Sequence, residues 1–149
     1  MSDHFLILIP VKLSYVPEID AQDKMLQLLR SFGFDDDMIQ MITSESVQFI
    51  DQGANFEHIL CPLCKNELQL EQWHLLMDAA YRTGFTQLEV VMPCCSQSTS
   101  LNDFIYQWPA GFARYRIEIF NPSSDINETQ MHVLEMALGY KVRKIWRHI

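Results

Sequence analysis

Hydrophobic positions along this chain change period several times, and each change marks an element. Phe5 to Ile9 is a continuous apolar run, and after Pro10 it becomes an alternation of Val11, Leu13 and Tyr15 against Lys12 and Ser14. Period two is the repeat of a strand, so residues 5–15 predict one strand, buried first and half-exposed later. Pro10 donates no ladder hydrogen bond, which predicts a bulge or a change of edge there. From Asp20 the pattern turns helical: Ala21, Met25, Leu28, Leu29 and Phe32 share one stripe, and Gly33 stands where a C-terminal cap belongs. Asp35, Asp36 and Asp37 read as the start of a short second turn, with carboxylates at the positive end. Val47 to Asp51 reads as a short strand.

The last third repeats this order. Phe112 to Phe120 alternates, with Tyr115, Ile117 and Ile119 on one face and Arg114, Arg116 and Glu118 on the other. Asn121-Pro122-Ser123-Ser124 breaks the strand. Asp125 and Glu128 have the spacing of a capping box for a helix carrying Met131, Leu134, Ala137 and Leu138, which Gly139 ends. Tyr140 to Ile149 returns as a strand. Both ends therefore read strand–helix–strand, and two such units on one antiparallel sheet make an α+β, ferredoxin-like split βαβ fold. The expected organisation is a single domain: a first half over 1–55, an inserted segment over 56–108 and a second half over 109–149. The insertion predicts a helix from Leu70 to Arg82, with Trp73, Leu76, Met77, Ala80 and Tyr81 on one stripe, then strands from Gln87 to Met92 and from Asp103 to Trp108.

Composition narrows the class. The chain has 149 residues, of which 48% are hydrophobic and 20% charged, enough to bury a core without disulfides and too apolar for a disordered or low-complexity chain. The opening apolar run falls far short of the roughly 20 residues of a membrane helix. Neither a basic n-region nor a small-residue cleavage site surrounds it, so the expectation is a soluble, cytoplasmic protein with no membrane partner. Net charge is −8, which disfavours general nucleic-acid binding. The charge is uneven: residues 1–113 hold 15 carboxylates against 5 bases, and residues 114–149 hold 4 against 6. An acidic body suits a basic partner and equally suits solubility alone.

All four cysteines fall in the insertion: Cys61 and Cys64 as Cys-Pro-Leu-Cys, and Cys94 and Cys95 after Pro93. A tetrahedral Zn²⁺ ion takes four soft donors, and a Cys-x-x-Cys turn aims two sulfurs at one centre. His58-Ile59-Leu60 leads into the first pair and Leu88 to Met92 into the second, as in a zinc ribbon. The second pair departs from the ribbon pattern, because adjacent side chains on an extended chain diverge and both can bind one ion only if the backbone kinks between them. Should one of them not bind, His58 or His74 is the alternative ligand.

Two other readings of the cysteines stay open. They are ordinary buried thiols, or Cys61 and Cys64 form the pair of a thiol oxidoreductase. The redox reading needs a first cysteine at a helix N-terminus, yet the helical stripe begins only near Leu70. A catalytic zinc needs an open position and a general base. Glu57-His58 followed by Pro93-Cys94-Cys95-Ser96 does not match the His-x-Glu and Pro-Cys-x-x-Cys of zinc deaminases. No Gly-rich phosphate loop, nucleophile elbow or His-Glu-x-x-His helix is present, so the expectation is no enzyme.

The stretch from Val47 to Phe56 (VQFIDQGANF), the two cysteine pairs and the stretch from Ser100 to Arg114 (SLNDFIYQWPAGFAR) together resemble a set of small uncharacterised bacterial proteins of about this length. The resemblance covers residues 47 to 122. It supports the metal motif and implies a bacterial origin, and it carries no activity. Within it, Phe104, Tyr106, Trp108 and Phe112 read as core or as a recognition surface.

The resulting expectation is a non-enzymatic, zinc-stabilised domain that binds another protein, in the manner of a bacterial immunity or antitoxin-type protein neutralising a basic toxin. The alternatives are a nucleic-acid-associated zinc ribbon, using Arg114, Arg116, Lys141, Arg143, Lys144 and Arg147 as a basic face, and the thiol oxidoreductase.

Overall fold

The computed structural model describes residues 2–149. Along the chain run β1 (His4–Pro10), α1 (Ile19–Ser31), β2 (Ile39–Ile50), β3 (His58–Leu60), α2 (Leu70–Tyr81), β4 (Glu89–Val91), β5 (Ser98–Ser100), β6 (Ile105–Gln107), β7 (Gly111–Phe120), α3 (Glu128–Leu138) and β8 (Val142–His148). The fold is α+β with antiparallel sheets. Four strands form the main sheet in the order β2-β7-β1-β8, each antiparallel to its neighbour.

One face of this sheet is covered by α1 and α3. Leu6 and Leu8 of β1 and Tyr115, Ile117 and Ile119 of β7 alternate onto that face, where Met25, Leu29, Leu134 and Leu138 meet them. The other face is buried by the sheet itself. The register of β2 against β7 shifts between Thr43 and Gln48, and a bulge of this kind bends both strands. The far end of the pair curls over, so that Ile50 and Ala113 pack on Ile7, Ile9 and Ile145. The chain leaving β2 then reaches the far edge of the sheet. Gly53 bridges His148, the Ala54 N–H donates to the His148 carbonyl at 2.8 Å, and Asn55 Nδ2 donates to the Trp146 carbonyl at 3.0 Å.

The stretch between the two halves of the sheet has its own core. Ile59, Leu68, Ala80, Phe85, Leu88, Met92, Leu101 and Phe104 pack together, joined to the long hairpin through Val47 and Phe112. The antiparallel pair β3–β6 and the hairpin β4–β5 bring the two cysteine stretches into this unit.

Several boundaries differ from the pattern-based expectation. β1 stops at Pro10, where pairing with Val142 ends, so Val11 to Tyr15 leave the strand despite their alternation. β2 begins at Ile39 rather than Val47; Ile39 and Met41 in its first half pack toward the helix-side core, and pairing with β7 holds it as an edge strand. The cap of α3 is Asn127 with Gln130, not Asp125 with Glu128: Asn127 Oδ1 accepts from the Gln130 N–H at 2.8 Å, while Asp125 Oδ1 accepts from Ile126 N–H and Lys144 Nζ. Asn and Gln form the same reciprocal pair as the expected residues, and the electrostatic partner of Asp125 lies across the fold on β8.

Candidate metal centre

The first cysteine turn follows β3. The Cys61 N–H donates to the Asn66 carbonyl at 2.9 Å, the Lys65 N–H donates back to the Cys61 carbonyl at 3.0 Å, and Lys65 takes φ +66°. That turn leaves the Leu63 N–H free to donate to Cys61 Sγ at 3.4 Å. The second turn follows β4 and repeats the pattern. Met92 N–H donates to the Gln97 carbonyl at 2.9 Å, Ser96 N–H donates to the Met92 carbonyl at 2.8 Å, and Ser96 takes φ +61°. Superposed by these bonds, Pro93 matches Pro62 and Cys95 matches Cys64. Met92 takes the place of Cys61, and Cys94 sits where Leu63 does. Pro93, Cys94 and Cys95 are themselves turn residues, and that turn provides the kink that adjacent cysteines need, with the left-handed Ser96 closing it.

The four sulfurs converge. Cys64 Sγ lies 3.3 Å from Cys94 Sγ and Cys61 Sγ 3.9 Å from Cys95 Sγ, and all four lie within 4.8 Å of one another. A tetrahedron with metal–sulfur bonds of 2.3 Å has sulfur–sulfur edges of about 3.8 Å. The observed separations bracket that edge, and all four cysteines are free thiols, so the group can hold a metal ion. Cys61 is fully buried, Cys64 and Cys95 are partly buried, and Cys94 is exposed.

Ionisation within the group is uneven. Burial disfavours the Cys61 thiolate, but the N–H groups of Cys64 and Leu63 and the thiols of Cys94 and Cys64 outweigh it and draw Cys61 down to about 7. Loss of water around its sulfur, with the Cys64 and Cys61 thiols against it, pushes Cys94 up to about 12. Cys95 is raised as well, since loss of water and the proximity of Cys61 overcome the favourable Gln97 N–H. Raised thiols at Cys94 and Cys95 crowded against Cys61 are what a soft divalent cation relieves, because a coordinated thiol loses its proton outright.

The alternative ligands stay outside this group. His58 Nδ1 pairs with Glu67 Oε1 at 2.6 Å at the strand edge, and His74 is exposed on α2 against the Trp73 ring. Four cysteines would complete a tetrahedral shell without a histidine. No helix begins at Cys61 either, as α2 starts at Leu70.

The bases of the last third are not gathered on one face. Arg114 Nε donates to the Ser44 carbonyl at the bulge, Arg116 pairs with Glu118 at 2.7 Å, and Arg147 pairs with Asp51 at 3.0 Å. Lys144 reaches Asp125 and the Ile126 carbonyl on the helix side, and Arg143 reaches Asn102 and Ala110. Lys141 lies exposed in the turn before β8. Arg143 and Lys144 turn to different acceptors, and local acceptors take most of the rest. Of the aromatic residues, Phe104, Tyr106 and Phe112 are core, and Trp108 remains 44% exposed, its Nε1 donating to Glu57.

Sequence reasoning missed the match between the two turns. The signal was present: Cys61-Pro62-Leu63-Cys64 and Met92-Pro93-Cys94-Cys95 share proline at the second place and cysteine at the fourth. Compared with protein-family models, curated proteins and solved structures, the chain has no significant match. No helix among the described residues is long and apolar enough to cross a membrane.

Proposed function

We propose that this chain is a zinc-stabilised, non-enzymatic domain that acts by binding another protein, of the bacterial immunity or antitoxin type, in the cytoplasm. The observation that carries the metal reading is the convergence of Cys61, Cys64, Cys94 and Cys95. Four thiolates fill a tetrahedral shell and leave no position for substrate, which favours a structural ion over a catalytic one. In this reading residues 56–108 are a zinc-ribbon-like insertion between the halves 1–55 and 109–149 of a ferredoxin-like split βαβ sheet. The order β2-β7-β1-β8, with β7 between the first two long strands, supports that topology.

A basic partner is favoured by charge and by one surface. A cleft of about 390 Å³ is lined by Phe56, Glu57, His58, Glu67, Leu70 and Glu71, with three carboxylates beside two exposed apolar side chains. Complementary charge speeds such an encounter and fixes its register. The test has two arms. Elemental analysis with a thiol count before and after chelation should give one zinc per chain and four thiols released; a metal-free protein with four reactive thiols overturns the metal reading. A pull-down from the source cell should capture a basic protein whose binding weakens with salt and with Glu57→Lys and Glu67→Lys. Capture that ignores both changes overturns the partner reading.

A further inference from the structure

Of the three bases in β8, Lys144 and Arg147 meet carboxylates, and Arg143 meets none within ion-pair distance. Its Nη1 alone is held, donating to the Asn102 carbonyl at 3.0 Å, Asn102 Oδ1 at 3.1 Å and the Ala110 carbonyl at 2.9 Å. Gly111 permits this seat, since a Cβ there would stand 2.7 Å from Nη1. All three acceptors are neutral, and among the described residues Nε and Nη2 have no hydrogen-bond partner. Burial lowers the basicity of the guanidinium, and Asp103 acts on it only from a distance. A partly buried guanidinium without a carboxylate partner is costly to hold. Arg143 lines a cleft of about 460 Å³ whose walls include Phe104, Tyr106, Pro109, Met131 and Val142. The other cation at the rim, Lys144, is already satisfied by Asp125 at 3.0 Å and the Ile126 carbonyl at 2.8 Å. The cleft thus offers one excess positive charge, presented as a planar two-donor edge among apolar side chains. That edge matches the two oxygens of a carboxylate, whereas a doubly charged phosphate would find a single cation.

We propose that this cleft binds a small monocarboxylate with an apolar body, the carboxylate on Nε and Nη2 of Arg143 and the body against Phe104, Tyr106, Pro109, Met131 and Val142. The site is separate from the sulfur cluster and does not rest on the metal or partner reading.

The test titrates the purified full chain with 4-phenylbutyrate and with its neutral carboxamide, followed by amide chemical shifts. The acid should move residues 104–110 and 142–144 and bind at least about tenfold more tightly than the amide. Arg143→Gln, which removes the charge and the two-donor edge while keeping a polar side chain on β8, should erase that preference. Met131→Trp, which fills the cleft and leaves the contacts of Arg143 in place, should block the acid. Equal binding of acid and amide, shifts confined to other regions, or no binding below about 10 mM overturns the proposal. Where a variant does not fold, the acid-to-amide ratio and the location of the shifts in the unaltered chain decide the matter.

Discussion

Met92 stands in the second cysteine turn where Cys61 stands in the first, with the same pair of backbone bonds and the same left-handed residue four places on. The second turn therefore contributes its two sulfurs from the third and fourth places rather than the first and fourth. Cys94→Leu alone should lose metal. Adding Met92→Cys supplies sulfur at the place matched to Cys61 and should recover at least about tenfold in zinc affinity, measured by competition with a chelator. Met92 is 1% exposed, so the shorter side chain also costs about 1–2 kcal/mol of packing.

Removing the metal should act on one part of the molecule. The cysteine turns lie in the core formed by Ile59, Leu68, Leu88 and Met92, while Leu6, Leu8, Ile117 and Leu134 form a separate core under α1 and α3. Hydrogen exchange after chelation should show residues 58–107 losing protection, with β1, β7 and β8 largely holding theirs. Uniform loss across both regions would contradict this division.

Two buried tyrosines make an opposed pair. Tyr106 donates to the Leu101 carbonyl at 2.8 Å and accepts from Trp73 Nε1 at 3.4 Å, whereas the hydroxyl of Tyr115 is buried with no partner among the described residues. Tyr115→Phe should therefore raise stability by about 1 kcal/mol, and Tyr106→Phe should lower it by about 1–2 kcal/mol. Burial raises both phenols above their ordinary value of 10.0. The fold keeps protons that the unfolded chain loses, so the stability tied to these neutral phenols is whole below about pH 10 and falls as pH rises beyond it. Chemical denaturation across that range should show an alkaline decline, shallower in Tyr115→Phe.

Gly53 closes the sheet onto itself. It takes φ +59°, and a Cβ there would collide with the carbonyl oxygen of His148, the group that accepts from the Ala54 N–H. Gly53→Ala should cost about 2–3 kcal/mol in a denaturant titration, through left-handed strain and the lost bridge to β8. Gly33, with φ +100° and open space around it, carries the strain alone, so Gly33→Ala should cost about 1 kcal/mol.

Legibility in the sequence followed the range of the interactions. α1, α2 and α3 lie within a residue or two of where their apolar stripes placed them, because the 3.6-residue repeat is written locally. The alternation of Tyr115, Ile117 and Ile119 also marked the buried face of β7 correctly. Val11 to Tyr15 had the right period but meet their neighbours only through isolated backbone bonds, Val11 N–H to the Lys141 carbonyl and Arg114 N–H to the Leu13 carbonyl, and a strand forms only where a ladder exists to receive it. The histidines and the basic side chains were harder still, since each of their contacts depends on what lies across the fold.

The amino-acid order alone determined the α+β class, the helices and the grouping of all four cysteines in one segment, since periodicity, glycine stops and short motifs act between near neighbours. Tertiary structure decided that Cys94 and Cys95 turn their sulfurs toward Cys61 and Cys64, that the β2–β7 pair curls over the second face of the sheet, and that Arg143 goes without a carboxylate. Those outcomes depend on bulges, left-handed residues and long side chains meeting partners tens of residues away, and such distances are set only when the whole chain packs.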